Sequence, residues 1–368
     1  MKALVLDSFD SKPTIKEVSI PQATAGSAVV QIQAANILAY AGELFSGKLQ
    51  YPLSLPGTIG GSAIGRITDV GPDATTLKVG DLVFMDSFIR GRDNPAESIL
   101  FGTHGGITPE SRKLMDEEWR NSTYAEFAKV PLENCHRINE DVLCKELGYT
   151  VEDLAYVLRL TVPMGGLYEL DIKAGETVVI APATGAFGGA AVEVAVAMGA
   201  TVIAAARNAT MLEKLSSIGG GGQVKTVQLS GDPTKDAASL GSFGPIDAYL
   251  DFSPSAAAKS THILACLLAL KTGGRACFMG GIQDPVAIPY GLLMFKSLKL
   301  QGKFMYERAA VARLIKLVEK GKLVLGERAG LRCAGTFGLQ DWEQAFEAAA
   351  KSAGWGEQVL MSPNKLAM

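Results

Sequence analysis

The stretch from Thr177 to Asn208, "TVVIAPATGAFGGAAVEVAVAMGATVIAAARN", limits the possible folds more than any other part of this 368-residue chain. A short apolar run enters a turn of small residues, continues into a longer segment with helical spacing, and ends in a second apolar run. The outer runs read as buried strands and the middle as a helix, a βαβ unit whose strands lie parallel. The turn reads Ala183-x-Gly185-x-x-Gly188, the dinucleotide-binding fingerprint with alanine in its first place. A glycine at 185 lets a pyrophosphate approach the main chain, and one at 188 lets helix and strand pack closely. With Ala186 and Phe187 between them, these residues set the free N–H groups of a helix amino terminus where phosphates would lie.

The end of the second strand selects the cofactor. A site that prefers NAD places Asp or Glu there, about 20 residues beyond the turn, on the ribose 2′-hydroxyl. Here Ala204, Ala205 and Ala206 are followed by Arg207 and Asn208. No carboxylate repels a 2′-phosphate, and Arg207 can pair with one, so the expected cofactor is NADP(H). Taken alone, Arg207 has a lesser alternative as an exposed surface arginine.

On either side of this unit the rhythm differs. The first part holds short strand-like runs, "KALVLD", "SAVVQIQAA", "AIGRITDVG" and "DLVFM", separated by turn signals, which predicts a small barrel or sandwich. A polar segment follows, Ser87 to Phe127, in which Pro109 to Arg120 could form a short helix. From about Thr150, helices and buried strands alternate, the mark of a parallel sheet. The fold class expected is therefore α/β, a doubly wound parallel sheet with a smaller β-barrel. A net charge of −3 with no basic run argues against nucleic acid or an anionic membrane as partner. No segment is long and apolar enough to span a membrane, and "MKALVLDSFD" has no leader character. The five cysteines are scattered without a CxxC pair, as in reduced proteins. Together these predict a cytoplasmic protein whose partner is a small molecule.

Several quoted stretches carry a family likeness: "VVQIQAANILAYAGELFSG", "LPGTIGGSAIGRITDVG", "KVGDLV", "YAEFAKVP" and the "ATGAFGG" turn. In order and spacing they resemble the medium-chain dehydrogenase/reductase superfamily over nearly the whole chain. The resemblance implies a GroES-like catalytic domain from residues 1–149 and 325–368, a Rossmann domain from 150–324, and a substrate cleft between them. It also implies a homodimer joined at sheet edges near "LKLQGKFM".

The departures from that family carry chemistry. Its zinc-dependent members have a cysteine where Leu38 stands, Gly-His-Glu at Gly57-Thr58-Ile59, and Cys or Asp about where Val157 stands. None of the residues present is a zinc ligand, and the Ser87–Phe127 segment has no cysteine for a structural zinc. No metal is expected, and the likeness narrows to zinc-independent quinone oxidoreductases and enone or enoyl-thioester reductases. Without a Lewis acid a simple ketone is hard to polarise, whereas a conjugated carbonyl takes hydride at its β-carbon and leaves a delocalised enolate. The expectation is hydride transfer from NADPH to a conjugated carbonyl. The alternatives are a zinc-free alcohol dehydrogenase or carbonyl reductase, and a non-catalytic NADP-binding scaffold.

Tyr51, near a tyrosine position of zinc-free relatives, and Tyr40, in the segment of the lost cysteine, are the candidate catalytic donors; either could instead be a packed tyrosine with a bonded hydroxyl. The likeness places Thr161 near the nicotinamide and brings Phe304 and Met305 to its carboxamide. Phe252 with Ser253, and Gly280 with Gly281, end strands at the carboxyl edge of the sheet, where ligands bind in open α/β folds. Of the three histidines, His262 reads as structural, His136 as a barrel-strand residue, and His104 sits in the long inserted loop, a common place for binding elements. The four glycines of "LPGTIGGSAIG" precede a strand rather than a helix, so they read as bends and not as a phosphate cradle.

Overall fold

A computed structural model describes residues 1–364, and within it the chain divides into two compact units. The first comprises residues 1–158 and 325–353 and resumes at Glu357; the second comprises Arg159–Val324 with Gly354–Gly356.

The second unit is a Rossmann sheet. Its six strands lie in the order Val224–Gln228, Thr201–Ala206, Thr177–Ala181, Ile246–Asp251, Leu270–Phe278, Lys299–Gly302. Every neighbouring pair is parallel. In chain order this is 3-2-1-4-5-6, so the order reverses between Thr177–Ala181 and Ile246–Asp251, the switch point at which such sheets bind ligands. The central strands are continuous apolar runs because helices cover both faces. Val179, Ile203, Tyr249, Ile263, Leu267 and Ala276 are all buried in one cluster. Each large side chain removed from water there contributes about 1.5–3 kcal/mol.

The first unit is the GroES-like domain. Its main sheet has seven strands, running from Cys135–Arg137 through Leu82–Met85, Ala63–Val70, Ser27–Asn36 and Glu357–Met361 to Arg332–Phe337, with Phe127–Pro131 also paired to Ser27–Asn36. A three-stranded sheet joins Thr14–Glu17, Lys2–Leu6 and Gly57–Thr58. The glycine-rich loop belongs to this frame. Gly57 and Thr58 pair with Leu6 and Val5, and Ile59 is buried in the core. Gly60 has φ 152°, and a Cβ there would stand 2.5 Å from the Thr123 nitrogen, so the loop's glycine serves chain packing.

The inserted segment folds into the same core. Phe88–Arg90 and Ser98–Leu100 form a hairpin, and Pro109–Lys113 is a short helix capped by Thr108 that runs into a π-turn, Leu114–Glu118. Ile89, Ile99, Phe101, Met115 and Trp119 are buried with the barrel residues. No helix among the described residues is long and apolar enough to cross a membrane, and the five cysteines form no disulfide.

Candidate functional site

Thr177–Ala181 delivers the chain to a turn, and the helix Ala186–Ala197 begins directly after it with Gly185 as N-cap. Gly185 has extended backbone angles and no side chain to bond the first N–H groups, which leaves the helix amino terminus open to an anion. The two fingerprint glycines serve different ends. A Cβ on Gly188 would lie 2.1 Å from the Pro182 carbonyl oxygen, so helix and strand touch there; a Cβ on Gly185 would meet nothing within 4 Å. One glycine is required by packing, and the other faces open space.

That space is a cavity of about 480 Å³. Of the residues expected from the sequence, Gly185, Ala186, Phe187, Gly188, Arg207, Asn208 and Phe252 line it together. Ala183 lies just outside, fully buried, its N–H bonded to the Ala205 carbonyl at 3.0 Å. Asn208 also caps the next helix by accepting from the Met211 N–H at 3.1 Å. Phe187 and Phe252 stack with ring centroids 6.3 Å apart. Arg207 is exposed, and the strand before it ends in buried alanines with no carboxylate.

Asp236 and His262 line the same cavity, and the sequence had not pointed to either as a wall residue. Burial works to raise the Asp236 pKa, but the Ser230 hydroxyl and the Ser230 and Gly231 N–H groups outweigh it and hold the carboxyl below its ordinary range. Those three bonds, at 2.6, 2.8 and 3.1 Å, occupy both of its oxygens. Its charge is thus matched by the loop rather than left for a ribose. Ser253 is buried beneath the wall, and its hydroxyl gives its one proton to Asp251 at 2.6 Å. It must therefore accept from His262 Nε2–H at 2.8 Å, while Nδ1 accepts from the Ser260 hydroxyl at 2.6 Å. His262 is fully engaged, as a structural histidine should be.

The other expected positions lie elsewhere in this unit. Gly280 lines a separate cavity of about 430 Å³, and a Cβ there would stand 2.5 Å from the Ser253 carbonyl oxygen. Gly281 N–H bonds that same oxygen at 2.8 Å, so this glycine pair packs against the strand end. Thr161 is buried on the helix Val157–Glu169, one turn before Gly165, where a Cβ would lie 2.3 Å from the Met305 carbonyl oxygen. The helix that carries Thr161 therefore meets the Met305 main chain at Gly165. Met305 has a left-handed φ of 57°, and Phe304 beside it is 60% exposed.

In the first unit, Tyr40 is the N-cap of the short helix Ala41–Phe45 and its carbonyl accepts from Leu44 N–H at 2.9 Å. Tyr51 is half-buried against the barrel core, and the His104 ring meets it edge-on with centroids 5.1 Å apart. His136, the third histidine, is buried against Asp86 at 2.6 Å and is structural. Leu38, Thr58, Ile59 and Val157 offer no zinc donor, and among the described residues no group of three His, Cys, Asp or Glu could hold a metal ion. The residues present do not fit zinc.

Residues 24–140 match the family described as alcohol dehydrogenase GroES-like domain, and residues 186–320 match the one described as zinc-binding dehydrogenase. Together the two matches cover most of the chain. An alcohol dehydrogenase from Moraxella sp. is 30% identical over 209 residues, 55% of this chain and 57% of the relative. An acryloyl-coenzyme A reductase from Metallosphaera sedula is 28% identical over 225 residues, 60% of this chain and 61% of the relative. The chain thus spans little more than half the length of these two relatives. Among solved structures, an alcohol dehydrogenase from E. coli complexed with NADH aligns with a TM-score of 0.76 at 18% identity, covering 98% of this chain and 99% of that one. A protein from Sinorhizobium meliloti described as a zinc-binding dehydrogenase and bound to NADP aligns with a TM-score of 0.73 at 20% identity and the same coverage.

Proposed function

This chain belongs to the medium-chain dehydrogenase/reductase superfamily, and from that premise we propose that it is an NADPH-dependent, zinc-independent oxidoreductase that reduces a small conjugated carbonyl compound. The observation that carries the reading is the cavity at the Gly185–Gly188 turn, with Arg207 on its wall and no carboxylate at the end of the second strand. The open helix amino terminus would hold the pyrophosphate, and Arg207 would pair with the 2′-phosphate. When bound, the dinucleotide supplies hydride.

The donor set supports a conjugated substrate. Leu38, Thr58, Ile59 and Val157 stand where zinc ligands would. Among the described residues no group of three His, Cys, Asp or Glu could hold a metal ion, so stabilising the developing charge falls to the chain's own hydrogen-bond donors. An enone, quinone or enoyl thioester suits that limit: hydride adds at the β-carbon, the carbonyl oxygen takes up charge, and a solvent proton completes the α-carbon. Tyr51 and Tyr40 are the proposed donors to that oxygen. The name of the acryloyl-coenzyme A reductase relative is in keeping with this class. The Moraxella relative's name favours a second reading, reduction of the carbonyl itself to an alcohol without zinc.

Purified protein mixed with NADPH and a panel of enones, quinones and aldehydes should consume NADPH with at least one enone or quinone. Tight NADPH binding with turnover of none of them would sink the enzymatic reading and leave a cofactor-binding scaffold. We also propose a cytoplasmic homodimer. The edge strand Lys299–Gly302 is unpaired on its outer side, and the neighbouring Tyr290, Met294 and Phe295 are exposed.

A further inference from the structure

In the first unit the half-buried rings of Tyr51 and His104 meet edge to face, and each carries a polar group that no other protein group among the described residues bonds. These groups are the Tyr51 hydroxyl and His104 Nε2. The insert brings them together. Leu100 and His104 close a tight turn through two bonds of 2.8 and 2.9 Å, and the next residue, Gly105, donates its N–H to the Pro52 carbonyl at 2.6 Å. A Cβ on Gly105 would lie 3.1 Å from that oxygen and 3.2 Å from Met115 Sδ, so this stitch is close. It pins the Tyr51–Pro52 loop to the insert and sets the two rings edge to face.

One hydrogen bond fixes the protonation of His104. Its Nδ1 accepts from the Gly106 N–H at 3.0 Å. In the neutral ring the proton must then sit on Nε2, the unpartnered nitrogen. An imidazolium would carry a proton on Nδ1 as well and lose the Gly106 bond. Burial, aided by the positive charge of Arg112, also lowers the His104 pKa. His104 therefore presents a neutral N–H donor on a ring that packs edge-on against Tyr51.

We propose that His104 Nε2–H and Tyr51 Oη–H together form a two-donor site for the carbonyl oxygen of the substrate, which makes His104 a catalytic residue. This rests on the reductase reading above and supplies its oxyanion stabilisation. Neither group gives up its proton. As hydride reaches the β-carbon, both hydrogen bonds strengthen on the enolate oxygen, and the α-carbon takes its proton from solvent. A neutral imidazole is suited to this, because its N–H can polarise a carbonyl by hydrogen bonding alone.

The test uses the whole protein and two independent readouts. With 2-cyclohexen-1-one and NADPH, His104→Phe should lower kcat by about 10²-fold, the scale of one lost oxyanion donor, at unchanged NADPH affinity. His104→Gln, which keeps an N–H, should recover part of it. Wild-type kcat should stay flat above the ordinary histidine range and fall below it, and that acid limb should vanish in His104→Gln. The second readout needs no turnover: the protein should bind 4-nitrophenolate, an oxyanion mimic, and both His104→Phe and Tyr51→Phe should weaken it at least tenfold. Lost phenolate binding in the variants of a protein that reduces no probe would keep the donor pair and discard the reductase reading. Unchanged phenolate affinity, or an active wild type matched by His104→Phe in kcat, would overturn the pair.

Discussion

The two fingerprint glycines allow a prediction in which similar substitutions fail for opposite reasons. Gly188→Ala puts a methyl 2.1 Å from the Pro182 carbonyl oxygen and 3.0 Å from Ala183 Cα. Both obstacles are main chain, so no side-chain rotation relieves them, and helix and strand must move apart. Overpacking of this kind costs about 1–3 kcal/mol, against which alanine recovers up to ~1 kcal/mol of helix propensity. A net loss of about 1–2 kcal/mol should lower the melting temperature by roughly 2–8 °C for a domain of this size. Gly185→Ala meets nothing within 4 Å and keeps an ordinary φ of −77°. As an N-cap change it should cost at most about 1 kcal/mol, yet its methyl occupies the surface on which the pyrophosphate would rest. Thermal melts and NADPH fluorescence titrations on both variants check this. Gly188→Ala should melt earlier, whereas Gly185→Ala should melt close to wild type and bind NADPH at least tenfold more weakly. The reasoning fails if Gly188→Ala melts like wild type, or if Gly185→Ala binds NADPH normally.

Other outcomes follow from single contacts. Arg207→Ala should weaken NADPH by about 10- to 100-fold, the range of one charge-assisted hydrogen bond on an exposed arginine, and leave NADH nearly unchanged; equal losses in paired titrations would remove its assigned role. The native Asp236 pKa is depressed, so its contribution to stability is present above the ordinary aspartate value of 3.8 and fades as pH falls through the lower native one. The melting-temperature gap between wild type and Asp236→Asn should accordingly be widest near neutral pH and close in acid; a gap that persists unchanged contradicts the assignment. Phe295→Asp should convert a dimer into monomers by light scattering, and a wild-type protein already monomeric at micromolar concentration would refute the edge-strand dimer.

The sequence disclosed the architecture well where period and burial coincide. The runs Thr177–Ala181, Thr201–Ala206 and Ile246–Asp251 are apolar throughout because both faces of the sheet are covered, so they stand out without any partner in view. Val224–Gln228 and Arg332–Phe337 do not stand out, since each lies at a sheet edge and keeps polar side chains. The alanine-rich stretch ahead of His262 reads as helix, yet the helix begins only at His262. Ser260 and Thr261 spend their hydroxyls on His262 and on the Gly231 carbonyl, which competes with helical continuation.

The site divides in the same way. The cavity residues at 185–188 and 207–208 are local to one βαβ unit and could be read directly. Asp236 could not, because its place in the wall depends on the Ser230–Gly231 loop that binds it. The Tyr51–His104 pairing joins segments fifty residues apart through one main-chain bond, Gly105 to Pro52, and main-chain bonds leave no mark on side-chain pattern. Gly280 shows the converse. Its position after a strand suggested a ligand, and what that position could not disclose is the close approach of the Ser253 carbonyl, which a Cβ would meet at 2.5 Å.

The central claim is that hydride goes to the β-carbon of a conjugated carbonyl without a metal. The most direct measurement is a reaction of metal-free protein with 2-cyclohexen-1-one and NADPH deuterated on its reactive face, with the product read by NMR. The account predicts saturated ketone with deuterium on the β-carbon, formed at the same rate after exhaustive chelation. Deuterium on the carbonyl carbon of an allylic alcohol, or activity that chelation abolishes and zinc restores, would contradict it.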